Sequence, residues 1–147
     1  MKKLTLYIIS SLFLCLAANG QEKVAREILG RLETNRVSFT YSCTMNEDLP
    51  VRLDGTIIAQ GECYLAKGNG LEIYSDGTTR WTVDQKAKEV YLEKAGGIEE
   101  ILDNRDAVKD LKISDLKYLP LQDETRTFTF DTSKLDASWV VTDLRQE

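Results

Sequence analysis

The chain opens on an apolar run from Leu4 to Ala17, behind Lys2 and Lys3 and ahead of the small residues Ala18 and Gly20. Charge, then grease, then small residues is the order of a secretory signal peptide, predicted over 1–20 with cleavage near Gly20. The next segment changes period. Val24, Ile28 and Leu32 recur at four-residue steps, Ala25 and Leu29 widen the stripe, and charge fills the other faces, which predicts a helix over 21–35. Gly30 weakens it by up to about 1 kcal/mol relative to alanine. From Val37 the period falls to two. Val37, Phe39, Tyr41 and Cys43 alternate with Ser38, Thr40, Ser42 and Thr44, so one face of a strand is buried.

A polar turn over 46–52 with Pro50 leads to four predicted strands, GTIIAQGECYLAK (55–67), LEIYS (71–75), TTRWTVD (78–84) and KEVYLEK (88–94). Gly68-Asn69-Gly70, Asp76-Gly77 and Gln85-Lys86-Ala87 separate them. Asp-Gly is a strong hairpin signal because both turn positions of the tightest hairpin take positive φ. Reversals this short force antiparallel pairing, since parallel strands need a crossover of about a dozen residues or more. Gly61, inside the longest of these strands, predicts a bulge or bend.

The pattern weakens between Ala95 and Leu121. GGIEEILDNRDAVKD suits a short helix around Ile98, Ile101 and Leu102, and KISDLKYLPL suits a loop or an edge strand before Pro120. Alternation returns at TRTFTFD (125–131), with Phe128 and Phe130 on one face. In SWVVTDL (138–144) consecutive apolar residues predict burial on both faces. No repeat, linker or low-complexity tract interrupts the chain. The expected fold class is α+β, a single domain over 21–147 in which one helix packs on a curved antiparallel sheet.

Charge and composition narrow the function. Losing Lys2 and Lys3 with the signal takes the 19 Lys and Arg to 17, against 24 Asp and Glu, a formal charge of −7. An acidic chain has no electrostatic hold on a phosphate backbone, so no nucleic-acid partner is expected. After Gly20 no apolar stretch approaches the roughly 18 residues that span a bilayer, so the product is not expected to be an integral membrane protein. Histidine is absent. Ser-His-Asp and Cys-His catalysis and His-based metal sites therefore lack an essential member, and the chain leans away from an enzyme.

The remaining chemical candidates fare no better. Cys15 lies in the apolar signal core behind Leu14, where a lipoprotein signal would want a small residue, and is read as lost with the signal. Cys43 and Cys63 form an even pair in an oxidising export compartment, as a disulfide or as two buried thiols. Hairpin pairing about 46–52 sets Cys43 opposite about Gly55 rather than Cys63. Glu99, Glu100, Asp103, Asp106 and Asp110 are interleaved with Arg105 and Lys109, which describes a solvated surface better than a carboxylate pair across a cleft. DNRDAVKD lacks the glycine and terminal glutamate of a calcium loop. Gly68, Gly70 and Gly77 are explained by turns. No metal site and no cofactor is expected.

What is left is the apolar inventory, which fits a filled core and a lined cavity equally well. The residues selected for an apolar pocket are Phe39, Tyr41, Ile57, Leu65, Ile73 and Trp81, facing the helix over 21–35. A slip of one residue in any strand would invert its member of that set.

Two stretches carry a resemblance. LEIYSDGTTRWTVDQKAKEVYLEK (71–94) resembles the central hairpins of the LolA family, periplasmic carriers of outer-membrane lipoproteins. FTFDTSK with VVTDLR (128–145) is similar to the C-terminal end of short LolA-like proteins. The signal peptide, the helix with ILGRL (28–32) and the strand VSFTYS (37–42) fall in the family's order. The resemblance implies an incomplete β-barrel closed by helices, whose hollow takes the acyl chain of a lipid or lipoprotein and passes it to an outer- or inner-membrane transfer partner. A buried methylene contributes about 0.8 kcal/mol, so a 16-carbon chain would contribute on the order of 12 kcal/mol before ordering costs. The chain is about fifty residues shorter than family members usually run, a large fraction of one domain. GECYLAKGNG (61–70) holds neither the arginine nor the proline of the family's cavity-mouth motif, so no family binding residue is carried over. The expected function is a periplasmic carrier for an apolar ligand. The alternatives are a secreted interaction or inhibitor domain with a solid core, and a small hydrolase using two facing carboxylates.

Overall fold

The structure, a computed structural model, describes residues 22–46, 50–95, 108–123 and 126–146. The predicted signal over 1–20, the helix expected around Ile98 and the acidic residues Glu99, Glu100, Asp103 and Asp106 lie outside them. Helix α1 (Glu22–Arg31) leads into strands β1 (Asn35–Asn46), β2 (Pro50–Gln60), β3 (Cys63–Gly68), β4 (Leu71–Ser75), β5 (Thr79–Asp84), β6 (Glu89–Lys94), β7 (Val108–Pro120) and β8 (Val140–Asp143). The strands form one eight-stranded sheet in the order β7-β1-β2-β3-β4-β5-β6-β8. Every pairing is antiparallel except β6 with β8. The sheet has two edges and does not close into a barrel. The α+β class holds, with one short helix among the described residues, but the sheet expected to be antiparallel is mixed because β6 and β8 run parallel. Among the described residues no helix is long and apolar enough to cross a membrane.

The helix ends at Arg31, four residues before its expected limit, because Leu32 to Thr34 turn the chain directly into β1. Ile28 is fully buried against β1, with Val24 and Leu32 half-buried beside it. Leu29 is 50 % exposed, so the apolar stripe is narrower than its periodicity implied.

Gly61 marks a full reversal and not a bend. It takes φ +59° at the first position of a two-residue turn joining β2 to β3, a conformation that glycine adopts without a Cβ clash. Its N–H donates to the Leu32 carbonyl at 2.7 Å, tying this turn to the end of the helix. The segment expected as one strand over 55–67 is therefore the β2–β3 hairpin. Asn69 and Gly70, both at positive φ, make the tight turn expected between β3 and β4. The Asp76-Gly77 turn differs. Ser75 pairs with Arg80, leaving a four-residue loop in which only Gly77 has positive φ and the Asp76 carboxylate accepts from the Thr78 and Thr79 amides. An aspartate folding the chain through its side chain replaces the pure backbone turn.

The two edges are unlike. β7 is a long edge strand, as one of the two readings of KISDLKYLPL allowed. Its pairing with β1 is broken by two register shifts, Asp115 sits at φ +54°, and Lys112, Lys117 and Pro120 line it. Bulges, charge and proline all discourage a further strand from adding. β8 is four residues long, and Val140 and Val141 are 59 % and 45 % exposed. The burial expected on both faces of 138–144 is absent because this strand is the other edge.

The described part of TRTFTFD, 126–131, is not a strand. It forms a single 3-10 turn, Arg126–Phe128, followed by extended chain and a second turn, Thr132–Lys134. This segment lies on the sheet face opposite α1. Phe128 is 1 % exposed beneath the Arg36 guanidinium, 5.0 Å from its ring centroid, and Arg36 also donates to Gln60 and Thr127. Its alternation comes from packing onto the sheet from outside.

Two cores result. On the α1 side, Ile28, Val37, Phe39, Tyr41, Cys43, Leu53, Ile57, Ala59, Ala66 and Ile73 form one cluster. On the other side, Val83, Val90 and Leu92 pack with Tyr74, Trp81, Phe130, Leu135 and Trp139.

Candidate functional site

Residues paired directly across antiparallel strands project to one face, so rows of side chains can be followed across the sheet. One row on the α1 side runs Phe39, Ile57, Ala66, Ile73, Thr82 and Tyr91 from β1 to β6. Beside it on the same face runs Val37, Ala59, Tyr64, Ser75, Arg80 and Glu93. The row between them, Ser38, Ile58, Leu65, Tyr74, Trp81 and Leu92, points the other way.

Four of the six predicted pocket residues therefore come together. Phe39, Tyr41, Ile57 and Ile73 share the α1 face and are at most 5 % exposed. Leu65 and Trp81 face away from the helix. In one continuous strand Ile57 and Leu65 would share a face, but the two-residue Gly61 turn inverts parity and pairs Ile57 with Ala66. The even-length loop over 76–79 likewise pairs Ile73 with Thr82, leaving Trp81 on the far side.

Tyr41 packs over Gly55, where a Cβ would come within 2.8 Å of the tyrosine hydroxyl. Burial, with smaller contributions from Cys43 and Asp54, pushes the Tyr41 pKa up to about 12. Cys43 lies opposite Leu53, two residues from the expected Gly55, and Cys63 opposite Gln60. The two cysteines are on opposite faces and are both free thiols. Burial, then the charges of Asp76 and Glu62, pushes the Cys63 thiol up.

The buried polar residues on the α1 side, Thr82 in the first row and Ser75 and Arg80 in the second, were missed by sequence reasoning. Ser75, Arg80 and Thr82 are polar and alternate with Trp81 and Val83, which reads as a solvated face, yet they are 1 %, 5 % and 6 % exposed. The Arg80 guanidinium donates from Nη2 to Glu93 Oε2 at 3.0 Å, with the two side chains 6 % and 18 % exposed. Arg80 Nε, also buried, has no acceptor among the described residues. Leaving such a donor unsatisfied costs about 1–3 kcal/mol. Burial raises the Tyr64 pKa, and the nearby Arg80 charge and hydrogen bonding with Arg80 and Ser75 oppose it, so these three groups form one polar cluster. An arginine amid a β-branched, aromatic strand was the one available signal.

Two open grooves among the described residues lie elsewhere. One of about 530 Å³ is lined by Tyr41 and the polar residues Thr40, Ser42, Arg52, Asp54 and Lys112. The other, about 520 Å³, lies between Leu32, the Gly61 turn, Asp76 and Leu121. Apart from Tyr41, neither touches the predicted pocket residues. Among the described residues no group of His, Cys, Asp or Glu is arranged to hold a metal ion. On the far face the Tyr74 and Phe130 rings pack at a tilt of 46° with centroids 5.5 Å apart, and the Tyr74 hydroxyl donates to Glu72 at 2.8 Å. Burial first, and that bond second, raise the Tyr74 pKa.

The α1 face thus carries a buried apolar row with one polar cluster beside it. In comparisons with known proteins, no family model matches the chain and no curated protein matches its sequence.

Proposed function

We propose that the protein is an exported, periplasmic carrier of an apolar ligand, a lipid or the acyl chain of a lipoprotein, held on the α1 side of its sheet. In this reading it is a shortened relative of the LolA-like carriers, working by binding and not by catalysis, and it exchanges its ligand with a membrane-associated partner. The observation that carries the proposal is the row Phe39, Ile57, Ala66, Ile73 and Thr82, continuous across five strands on one face. At about 4.8 Å per strand it extends roughly 19 Å. Helix α1 rests at its β1 end, and a helix with its side chains is only about 10–12 Å across. The row is wider than the helix that lies on it, although Ala66, Ile73 and Thr82 beyond the helix are themselves at most 6 % exposed, so a ligand must part this core to enter.

The deep burial of Phe39 and Ile57, each 1 % exposed, favours a second reading, an interaction module with a solid core. One titration separates them. A carrier displaces a bound lipophilic fluorophore when fatty acid or acyl lipid is added, with a dissociation constant in the micromolar range, about −8 kcal/mol. Folded protein that takes up neither fluorophore nor lipid refutes the carrier and leaves the interaction module.

A further inference from the structure

We propose that Arg80 is the polar anchor of the ligand, receiving a neutral carbonyl oxygen, the ester or amide carbonyl of an acyl chain, on its Nε–H. This rests on the carrier reading and assigns the end of the ligand that reading leaves undefined. Three observations converge on it.

The first is position. Ser75 and Arg80 lie two residues along their strands from Ile73 and Thr82, in the neighbouring row of the same face. Two residues of strand are about 7 Å. A chain lying along the Phe39–Ile73 row therefore has its polar end within reach of the guanidinium. The second is the donor. Arg80 is 5 % exposed, gives Nη2 to Glu93 and keeps Nε without an acceptor among the described residues. Buried pairs that serve only to join strands are stabilised by satisfying every remaining proton, and this one leaves a proton over. The third is charge. Glu93 already balances Arg80, so an ionised carboxylate would bring a second negative charge to a buried site with one positive one, whereas a carbonyl brings none. The hydroxyls of Tyr64 and Ser75 lie beside Arg80 in the same row.

The test compares three amphiphiles of equal chain length on the full exported chain by fluorophore displacement: a fatty-acid methyl ester, the matching methyl alkyl ether, and the fatty-acid anion at pH 8. The ester is expected to bind about tenfold more tightly than the ether, the worth of roughly one hydrogen bond, and more tightly than the anion. Arg80→Lys keeps the charge but loses the Nε–H. It is expected to erase the preference for ester over ether. Ester and ether binding alike, the anion binding most tightly, or an ester preference surviving in Arg80→Lys would each overturn the anchor and leave the carrier standing. If no ligand displaces the probe, the carrier reading falls and the anchor falls with it. If Arg80→Lys does not fold, the ligand series on the unaltered protein decides.

Discussion

The two halves of the sheet bury opposite faces. In β1 and β2 the side turned toward α1 is packed, while Ser38, Thr40 and Ser42 look outward. In β5 and β6 the larger apolar residues, Trp81, Val83, Val90 and Leu92, look the other way and are covered by the chain from Arg126 to Trp139. The middle strands belong to both cores. β3 buries Leu65 on one face and Ala66 on the other, and β5 buries residues on both faces in a near-continuous run. The difference teaches that the covering element, and not the strand's own alternation, decides which face is inside. The polar row of Ser75 and Arg80 lies where the apolar preference changes sides.

Core truncations should break this comparison most severely. Phe39→Ala, on the α1 side, is expected to cost about 3–5 kcal/mol, and Leu92→Ala, on the far side, about 2–5 kcal/mol, measured by urea unfolding. The chain's two tryptophans, Trp81 and Trp139, both lie in the far cluster. Native-state tryptophan emission should therefore shift in Leu92→Ala and stay put in Phe39→Ala. Costs that add in the double variant to within about 0.5 kcal/mol would mark the two cores as energetically separate. A large coupling would show that β3 and β4 join them rigidly.

Arg36 connects the halves, since it bonds Gln60 and Thr127 and covers Phe128. Arg36→Leu should cost about 1–3 kcal/mol and loosen the C-terminal segment, with faster amide exchange near Thr127 as the readout. A loss confined to α1 would contradict the link.

Much of the fold was legible because it depends on local periodicity. The helix, the strand over 37–44 and the succession of short strands from 55 to 94 follow from patterns of four and two. What was not legible depends on partners. Nothing in TRTFTFD distinguishes alternation in a strand from alternation in a segment laid across one, and nothing in WVV marks an edge. The site split for the same reason. The two-residue turn at Gly61 exchanges the face of the β3 residues, the turn at Asn69-Gly70 restores it in β4, and the loop over 76–79 exchanges it again in β5. Phe39, Tyr41, Ile57 and Ile73 therefore share a face, and Leu65 and Trp81 take the other. Nothing in the alternation at Ser75 and Arg80 says what lies above them.

Glycine changes should give smaller effects of opposite sign. A Cβ meets nothing within 4 Å at either Gly30 or Gly61, but only Gly61 has positive φ. Gly30→Ala should raise stability by up to about 1 kcal/mol, and Gly61→Ala should lower it by about 1 kcal/mol, both by thermal melting.

Titration gives the finest distinction. The Tyr41 pKa is raised to about 12 from an ordinary value of 10. The stability this group contributes is whole below pH 10 and is lost as pH rises through 12. Absorbance at the tyrosinate band should therefore lag for the α1-side core and appear together with unfolding. Asp143, held down to about 2 mainly by its hydrogen bonds with Arg145, acts at the other extreme. Its contribution is present above pH 3.8 and lost as pH falls toward 2. The group is exposed on an edge strand, so Asp143→Asn should shift the acid limb only slightly.

The most direct test of the carrier is a methyl-labelled NMR titration with an acyl ester, in which isoleucine and leucine methyl groups report the two faces separately. Binding on the α1 side predicts that Ile57 and Ile73 shift and give contacts to the acyl chain, while Leu65 and Leu92 hold still. Shifts confined to Leu65 and Leu92, or none on either face at saturating ester, would contradict it.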